Sequence, residues 1–251
     1  MRIWMIAAVT GIMAYAGFVA FKGPDNNGDK EKLILKAVLT MMQQVHFKNP
    51  PLDDNFSHRL YDTYMDRLDG MKRFLIMEDL DLLDDYQDSL DDQIRTDDLK
   101  FFEISYKLIN NSIEKTRKWY PELLSQPFDF TIKDSIETDG EKRSYAKDDA
   151  ELKEFWRSYL KYETLTRLSD KIKEQETATE VPEGGKKSVA ELEADARKDV
   201  LEVFDEWYER MDKVRRSDRF EMYVNSITNV YDPHSDYFNP KEKEDFDINM
   251  S

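Results

Sequence analysis

The sequence predicts an all-α protein: a multi-helix domain with a long helical hairpin, preceded by an N-terminal signal or anchor helix. Three observations lead there. Leu99, Phe102, Tyr106, Ile109 and Ile113 recur in alternating steps of three and four, which puts them on one face of a helix. Asp148 and Ser188 are each followed three residues on by a glutamate, Glu151 and Glu191, at the start of a long apolar-periodic run, the arrangement of a capping box. No alternating strand pattern competes with these helical spacings.

In chain order, Met1-Arg2 supplies a positive charge and residues 3–21 are uncharged and mostly apolar, ending at Lys22. That is an export signal or a single membrane anchor. Ala14-Tyr15-Ala16 before Gly17 fits a small-x-small cleavage site, yet the apolar run carries on through Phe18, Val19 and Phe21. Under either reading Arg2 stays inside and everything after Lys22 lies across the membrane. Gly23-Pro24-Asp25-Asn26-Asn27-Gly28 is rich in turn formers, so residues 23–29 read as a linker and folding is expected to begin near Asp29.

Leu33, Ala37 and Met41 then mark one helix, and Phe56, Leu60, Tyr64 and Leu68 mark another beyond the Pro50-Pro51 break. The helix through Leu99 to Ile113 follows. Pro121 and Pro127 are expected to bracket a separate short helical piece, and residues 128–147 to be irregular. A long helix should open at Asp148, bury Leu152, Phe155, Trp156 and Tyr159, and end near Gln175. Residues 177–187 hold Pro182, Gly184 and Gly185 among polar neighbours and read as a mobile loop. From Ser188 a second long helix is expected to bury Val189, Leu192, Ala196, Val200, Val203, Trp207, Met211 and Val214. Their near-heptad spacing suits antiparallel packing on the preceding helix. A last helix from about Ser217 carries Phe220, Val224, Ile227 and Tyr231, and Asp232-Pro233 stops it.

Composition limits the chemistry. With 53 acidic against 37 basic side chains the formal charge is -16, which repels phosphate backbones, so nucleic acid is excluded as a partner class. There is no cysteine, hence no disulfide, thiolate zinc site, cysteine nucleophile or lipidated cysteine. Asp79, Asp81, Asp84, Asp85, Asp88, Asp91 and Asp92 are the densest acidic cluster. Leu82-Leu83 interrupt it and no glycine is near, unlike a calcium loop, so it reads as a solvated helix face. His46, His58 and His234 share no ligand spacing, and neither a Gly-x-Ser-x-Gly elbow nor a glycine-rich phosphate loop is present. No residue is therefore nominated as catalytic, cofactor-binding or metal-ligating, and no cofactor is expected. Trp119, Tyr120, Trp156, Tyr159, Tyr162, Trp207 and Tyr208 could line a peptide groove, but at helical spacing they are read first as core.

The order of several segments resembles the N-terminal region of the tail-specific proteases, the larger C-terminal-processing peptidases of bacterial periplasms. The segments are Leu68-Asp69-Gly70-Met71-Lys72-Arg73-Phe74-Leu75 with Asp79-Leu80-Asp81, Leu90-Asp91-Asp92-Gln93-Ile94, Gln126-Pro127-Phe128-Asp129-Phe130, and Trp156-Arg157 with Leu160-Lys161-Tyr162-Glu163. The most specific is Tyr231-Asp232-Pro233-His234-Ser235-Asp236-Tyr237-Phe238-Asn239-Pro240, similar to the family's lead-in to a PDZ domain. Glycine at Gly70 departs from the family's Leu-Asp-Pro. The resemblance implies a helical domain over residues 30–238 and a truncated lead-in at 239–251, with the PDZ domain and the serine-lysine protease domain lying beyond Ser251. It implies a non-catalytic platform that supports those domains and substrate access in periplasmic proteolysis. The alternatives are the front fragment of an active serine endopeptidase, or a stand-alone helical adaptor. The implied partners are unfolded or C-terminally tagged protein substrates, PDZ and protease domains of the same or a neighbouring gene product, and a lipoprotein adaptor such as some family members use. Phe246, Ile248 and Met250 alternate like a strand that needs a ladder to join, so residues 239–251 are expected to be poorly ordered alone.

Overall fold

The computed structural model describes residues 27–178 and 185–239; the signal or anchor segment, the centre of the 177–187 loop and the expectation for residues 240–251 lie outside them. Eight helices follow in order among the described residues: α1 Asn27–Val45, α2 Asp54–Asp69, α3 Met77–Asp84, α4 Leu90–Arg95, α5 Lys100–Leu124, α6 Asp149–Thr177, α7 Val189–Asp212 and α8 Arg216–Tyr231. The one extended pairing there is a single parallel bridge between Ile76 and Ala146. The all-α class stands, and the chain divides into two compact units.

The first unit contains the residues up to Leu68, Leu83–Tyr106 and those from Arg216 onward. Here α1 packs on α8 and on α4. The α2 stripe of Phe56, Leu60, Tyr64 and Leu68 is buried as its spacing requires. On α1 the buried positions are Leu35 and Leu39, while Leu33, Ala37 and Met41 are half-buried. The run Leu33-Ile34-Leu35 offers apolar residues on several sides, so steps of four can start from any of them. Glu31, a turn before Leu35, is buried too, because Arg216 of α8 donates to it at 2.8 and 2.6 Å. Rings fill the centre: Tyr64 meets Tyr223 edge-on at 5.2 Å, Phe102 meets Phe220 at 5.4 Å, and Tyr64 shares a buried hydrogen bond of 2.8 Å with Ser105. Arg59 donates to the carbonyl of Val230 at 2.7 Å, satisfying an acceptor that the last turn of α8 leaves open.

The second unit contains Asp69–Leu82 and Lys107–Arg215, and its frame is the α6–α7 hairpin. The Ser188 capping box forms in full: the hydroxyl accepts from the Glu191 N–H, and the Glu191 carboxylate accepts from the Ser188 N–H. At α6 the box is displaced by one residue. Asp148 accepts from the Glu151 N–H at 2.9 Å, whereas the Glu151 carboxylate accepts from Lys147 at 2.8 Å.

The buried stripes also differ from the expected ones. On α6 they are Leu152, Trp156, Leu160, Thr164 and Leu168, with Phe155 and Tyr159 half-buried. On α7 they are Leu192, Ala196, Val200, Phe204 and Tyr208, while Val189, Val203 and Val214 are exposed and Trp207 and Met211 half-buried. Both run in steps of four, and at 3.6 residues per turn each such step rotates about 40° around the axis. The buried face therefore changes partner along the helix. Leu192 and Ala196 meet Leu168, with Phe130 and Ile172 alongside, and about three helical turns further on Tyr208 stacks on Tyr120 of α5 at 4.8 Å.

The expected break at Pro121 does not occur; α5 runs through it to Leu124. A proline there removes the main-chain bond to the Arg117 carbonyl and crowds that carbonyl, a cost of about 3 kcal/mol that the burial of Tyr120 and Leu124 offsets. Residues 128–147 are without helix as anticipated, and so are 125–127, where the sequence predicts a short helical piece; yet the segment is pinned: Lys161, buried on α6, donates to the Ile132 carbonyl at 3.0 Å and to Asp134 at 2.7 Å.

Candidate functional site

The densest polar construction in the second unit is the turn that follows α2. Asp69 is 5 % exposed, and its carboxylate accepts from the N–H groups of Arg73, Phe74 and Leu75 at 2.8, 3.0 and 2.8 Å. One side chain thus satisfies three consecutive amides that no helix or strand serves. Burial outweighs those bonds and pushes the carboxyl up from 3.8 to about 6. The turn needs Lys72 in the left-handed region, with φ 51°.

Residues 140–146 close over the turn. A Cβ on Gly140 would lie 2.2 Å from the Gly70 carbonyl oxygen, so only glycine permits the approach. Arg143 donates to the Met71 carbonyl at 2.8 Å and lies 3.3 Å from the Phe155 ring centre; Lys72 reaches the Arg143 carbonyl. The N–H of Met77 donates to Ala146 at 2.9 Å. From below, the Trp156 indole donates to the Arg73 carbonyl at 2.8 Å, and Arg73 lies 4.4 Å over Tyr159 and donates to its hydroxyl at 3.1 Å.

The aromatic residues continue from this turn as one packed wall. Phe74 stacks on Trp207 at 5.8 Å, Trp156 meets Phe204 edge-on at 5.8 Å, and Tyr208 donates to Thr116 at 2.8 Å. Tyr120, Trp156 and Tyr208 are buried, Trp119, Tyr159 and Trp207 half-buried, and only Tyr162 of the seven is exposed, at 45 %. The groove reading therefore gives way to the core reading. Burial raises the Tyr208 hydroxyl well above the usual tyrosine range, and it serves as a neutral donor.

The acidic run is dispersed rather than gathered. Asp79 accepts from the Ile76 N–H at 3.0 Å at the start of α3, and Asp84 accepts from Tyr61 and from Gln87. Asp88 meets His58 at 2.5 Å, and Asp92 pairs with Arg95. Asp91 departs from the solvated-face reading: it is 4 % exposed, accepts from Ser57 at 2.7 Å and is paired with Arg95 at 2.8 Å. No group of three or more His, Asp or Glu side chains among the described residues could hold a metal ion. His46 contacts Ser235 at 3.3 Å, and His234 donates its main-chain N–H to Asp232 at 2.9 Å. What these arrangements do chemically is hold main chain and neighbouring side chains in place; each charged group named here is committed to a structural partner.

The sequence matches the model of the tail specific protease N-terminal domain over residues 38–241, most of the chain. The chain belongs to this family. It is 24 % identical over 227 residues to the tail-specific protease of Haemophilus influenzae, an alignment that takes in 89 % of this chain and 30 % of that relative. The chain thus spans about a third of the relative's length.

Three of the segments that carry the likeness to the tail-specific protease N-terminal domain have a visible structural task. Asp69 to Leu75 is the turn itself. Phe128, in the third segment, donates its N–H to Glu193 at 3.1 Å, and Glu193 is paired with Arg197, which donates to the Leu124 carbonyl at 2.8 Å. Trp156 and Lys161 anchor the turn and the irregular segment respectively. Sequence reasoning found these segments but not their roles, since three amides converging on one carboxylate depend on a turn geometry that no spacing announces.

Proposed function

We propose that the chain is a non-catalytic helical platform of a tail-specific serine protease, one that supports the PDZ and protease domains and the access of unfolded protein to them in the periplasm. The observation that carries this reading is the family match over residues 38–241 within a relative whose name is tail-specific protease. Two features support the reading: Asp69, Lys161 and Glu193, buried charged groups of the second unit, pin irregular main chain as a rigid support requires, and the apolar run at 3–21 behind Arg2 suits export. No helix of the described residues is long and apolar enough to cross a membrane.

A chimera tests the platform role. The matching N-terminal stretch of the Haemophilus influenzae protease is replaced by residues 38–241 of this chain, and cutting of an unfolded protein is measured. The reading expects turnover within about tenfold of the parent. A chimera that folds, by circular dichroism and gel filtration, and does not cut would sink it. The second reading, the front portion of an active serine endopeptidase, draws on the 30 % span and expects the chimera to behave in the same way, but expects protease sequence downstream in the same gene.

A further inference from the structure

After α8 ends at Tyr231, the chain turns at Asp232 and Pro233 and runs back along the helix it has just left. Three side chains of α8 receive it. Asn229 donates to the Ser235 carbonyl at 2.8 Å. Asn225 makes two bonds to one residue, accepting from the Tyr237 N–H at 2.6 Å and donating to the Tyr237 carbonyl at 3.1 Å. Glu221 accepts from the Asn239 side-chain amide at 2.6 Å.

The register has a physical basis. The receiving residues are spaced by four, one helical step of about 6 Å, and the received residues by two, about 6.6 Å of extended chain. The two repeats match closely enough for three successive contacts without strain. Burial alternates accordingly: Ser235, Tyr237 and Asn239 are half-buried, whereas Asp236 and Phe238 are exposed. The start of the segment is fastened separately, by His46 at Ser235 and by Lys48 at Asp232, 3.6 Å away. Asn229 is itself held by Arg67, which donates to its carbonyl oxygen and so fixes which end of the amide faces Ser235.

We propose that Asn225 and Asn229 form a docking strip for extended main chain, occupied by the chain's own residues 235–239, with Glu221 fastening the Asn239 side chain at its far end. Asn225 does the reading. A primary amide presents one donor and one acceptor, the complement of a residue's own C=O and N–H, so it selects extended backbone and not a particular side chain. Asparagine is therefore required at 225; aspartate, of nearly the same shape, would set an acceptor against the Tyr237 carbonyl. The strip rests on no assignment of activity.

Amide hydrogen exchange on the full chain, read by NMR, tests it. The Tyr237 amide in the unaltered protein should exchange at least tenfold more slowly than an unstructured amide. Asn225→Asp should remove at least tenfold of that protection, while the amides of Val224 and Ile227 on α8 keep theirs. Asn225→Gln, which retains donor and acceptor on a longer arm, should lose less than Asn225→Asp. Free exchange at Tyr237 in the unaltered protein would overturn the proposal, and so would equal protection in Asn225→Asp with α8 intact.

Discussion

Asp69 gives the sharpest prediction, because its carboxyl is folded into an environment that favours the proton. Burial moves it from 3.8 to about 6, so the folded protein binds a proton more readily than the unfolded chain does. The sign follows from linkage: where the folded state binds more protons, stability rises as pH falls. The Asp69 contribution is thus unfavourable above pH 6, is relieved as pH drops through 6, and is fully relieved below about 4. With those two values, going from pH 7.5 to pH 5 favours the folded state by about 1 kcal/mol, on the order of tenfold.

Other carboxylates titrate too, which makes a difference measurement necessary. Asp134 and Glu154, both held low by hydrogen bonds from Lys161 and Arg157 respectively, lose stability only at lower pH. Asp69→Asn keeps the shape and removes the titration, so the gap between the two proteins isolates the group. Urea unfolding followed by tryptophan fluorescence is suited to this, since Trp119, Trp156 and Trp207 all belong to the second unit. The unaltered protein should gain about 1–2 kcal/mol on Asp69→Asn between pH 7.5 and pH 5. No gain by the unaltered protein relative to Asp69→Asn toward acid, or a loss, would mean that the three amides outweigh burial.

Further predictions concern packing. Gly140→Ala drives a Cβ into the Gly70 carbonyl, and should cost at least about 2 kcal/mol in the same urea titration, because backbone on both sides must shift. Tyr208→Phe leaves the buried Thr116 hydroxyl without the bond from Tyr208 and should cost about 1–2 kcal/mol. Trp156→Phe leaves the Arg73 carbonyl unpaired and a gap beside Phe204, so a loss of about 2–4 kcal/mol is expected from thermal or urea unfolding. Gln175 clamps Lys187 from both sides, donating to its carbonyl at 3.0 Å and accepting from its N–H at 2.7 Å. The Lys187 amide should therefore exchange more slowly than an unstructured amide and lose that protection in Gln175→Ala, as read by hydrogen exchange.

The fold was legible where one face of a helix is buried along its whole length. The α2 stripe and the order of all the long helices follow from spacing alone, and the Ser188 box forms as written. Spacing misleads on α7 because the buried face winds: Val203 looks equivalent to Phe204 in a heptad, but only Phe204 reaches Trp156 once the helix has turned toward a new neighbour. Pro121 misleads because a proline signal is local, whereas the burial that holds the last turn of α5 comes from residues far along the chain. Asp69, Gly140 and Asn225 could not be singled out, since each acts on main chain brought to it by the fold.

The proposed role, support of proteolysis by an N-terminal domain that does not itself cut, has a direct test. The full chain, incubated at high concentration with an unfolded protein and analysed by mass spectrometry, should yield no peptides above those of a buffer control. Turnover that survives repurification to homogeneity and is abolished by a serine-directed inhibitor would contradict the account.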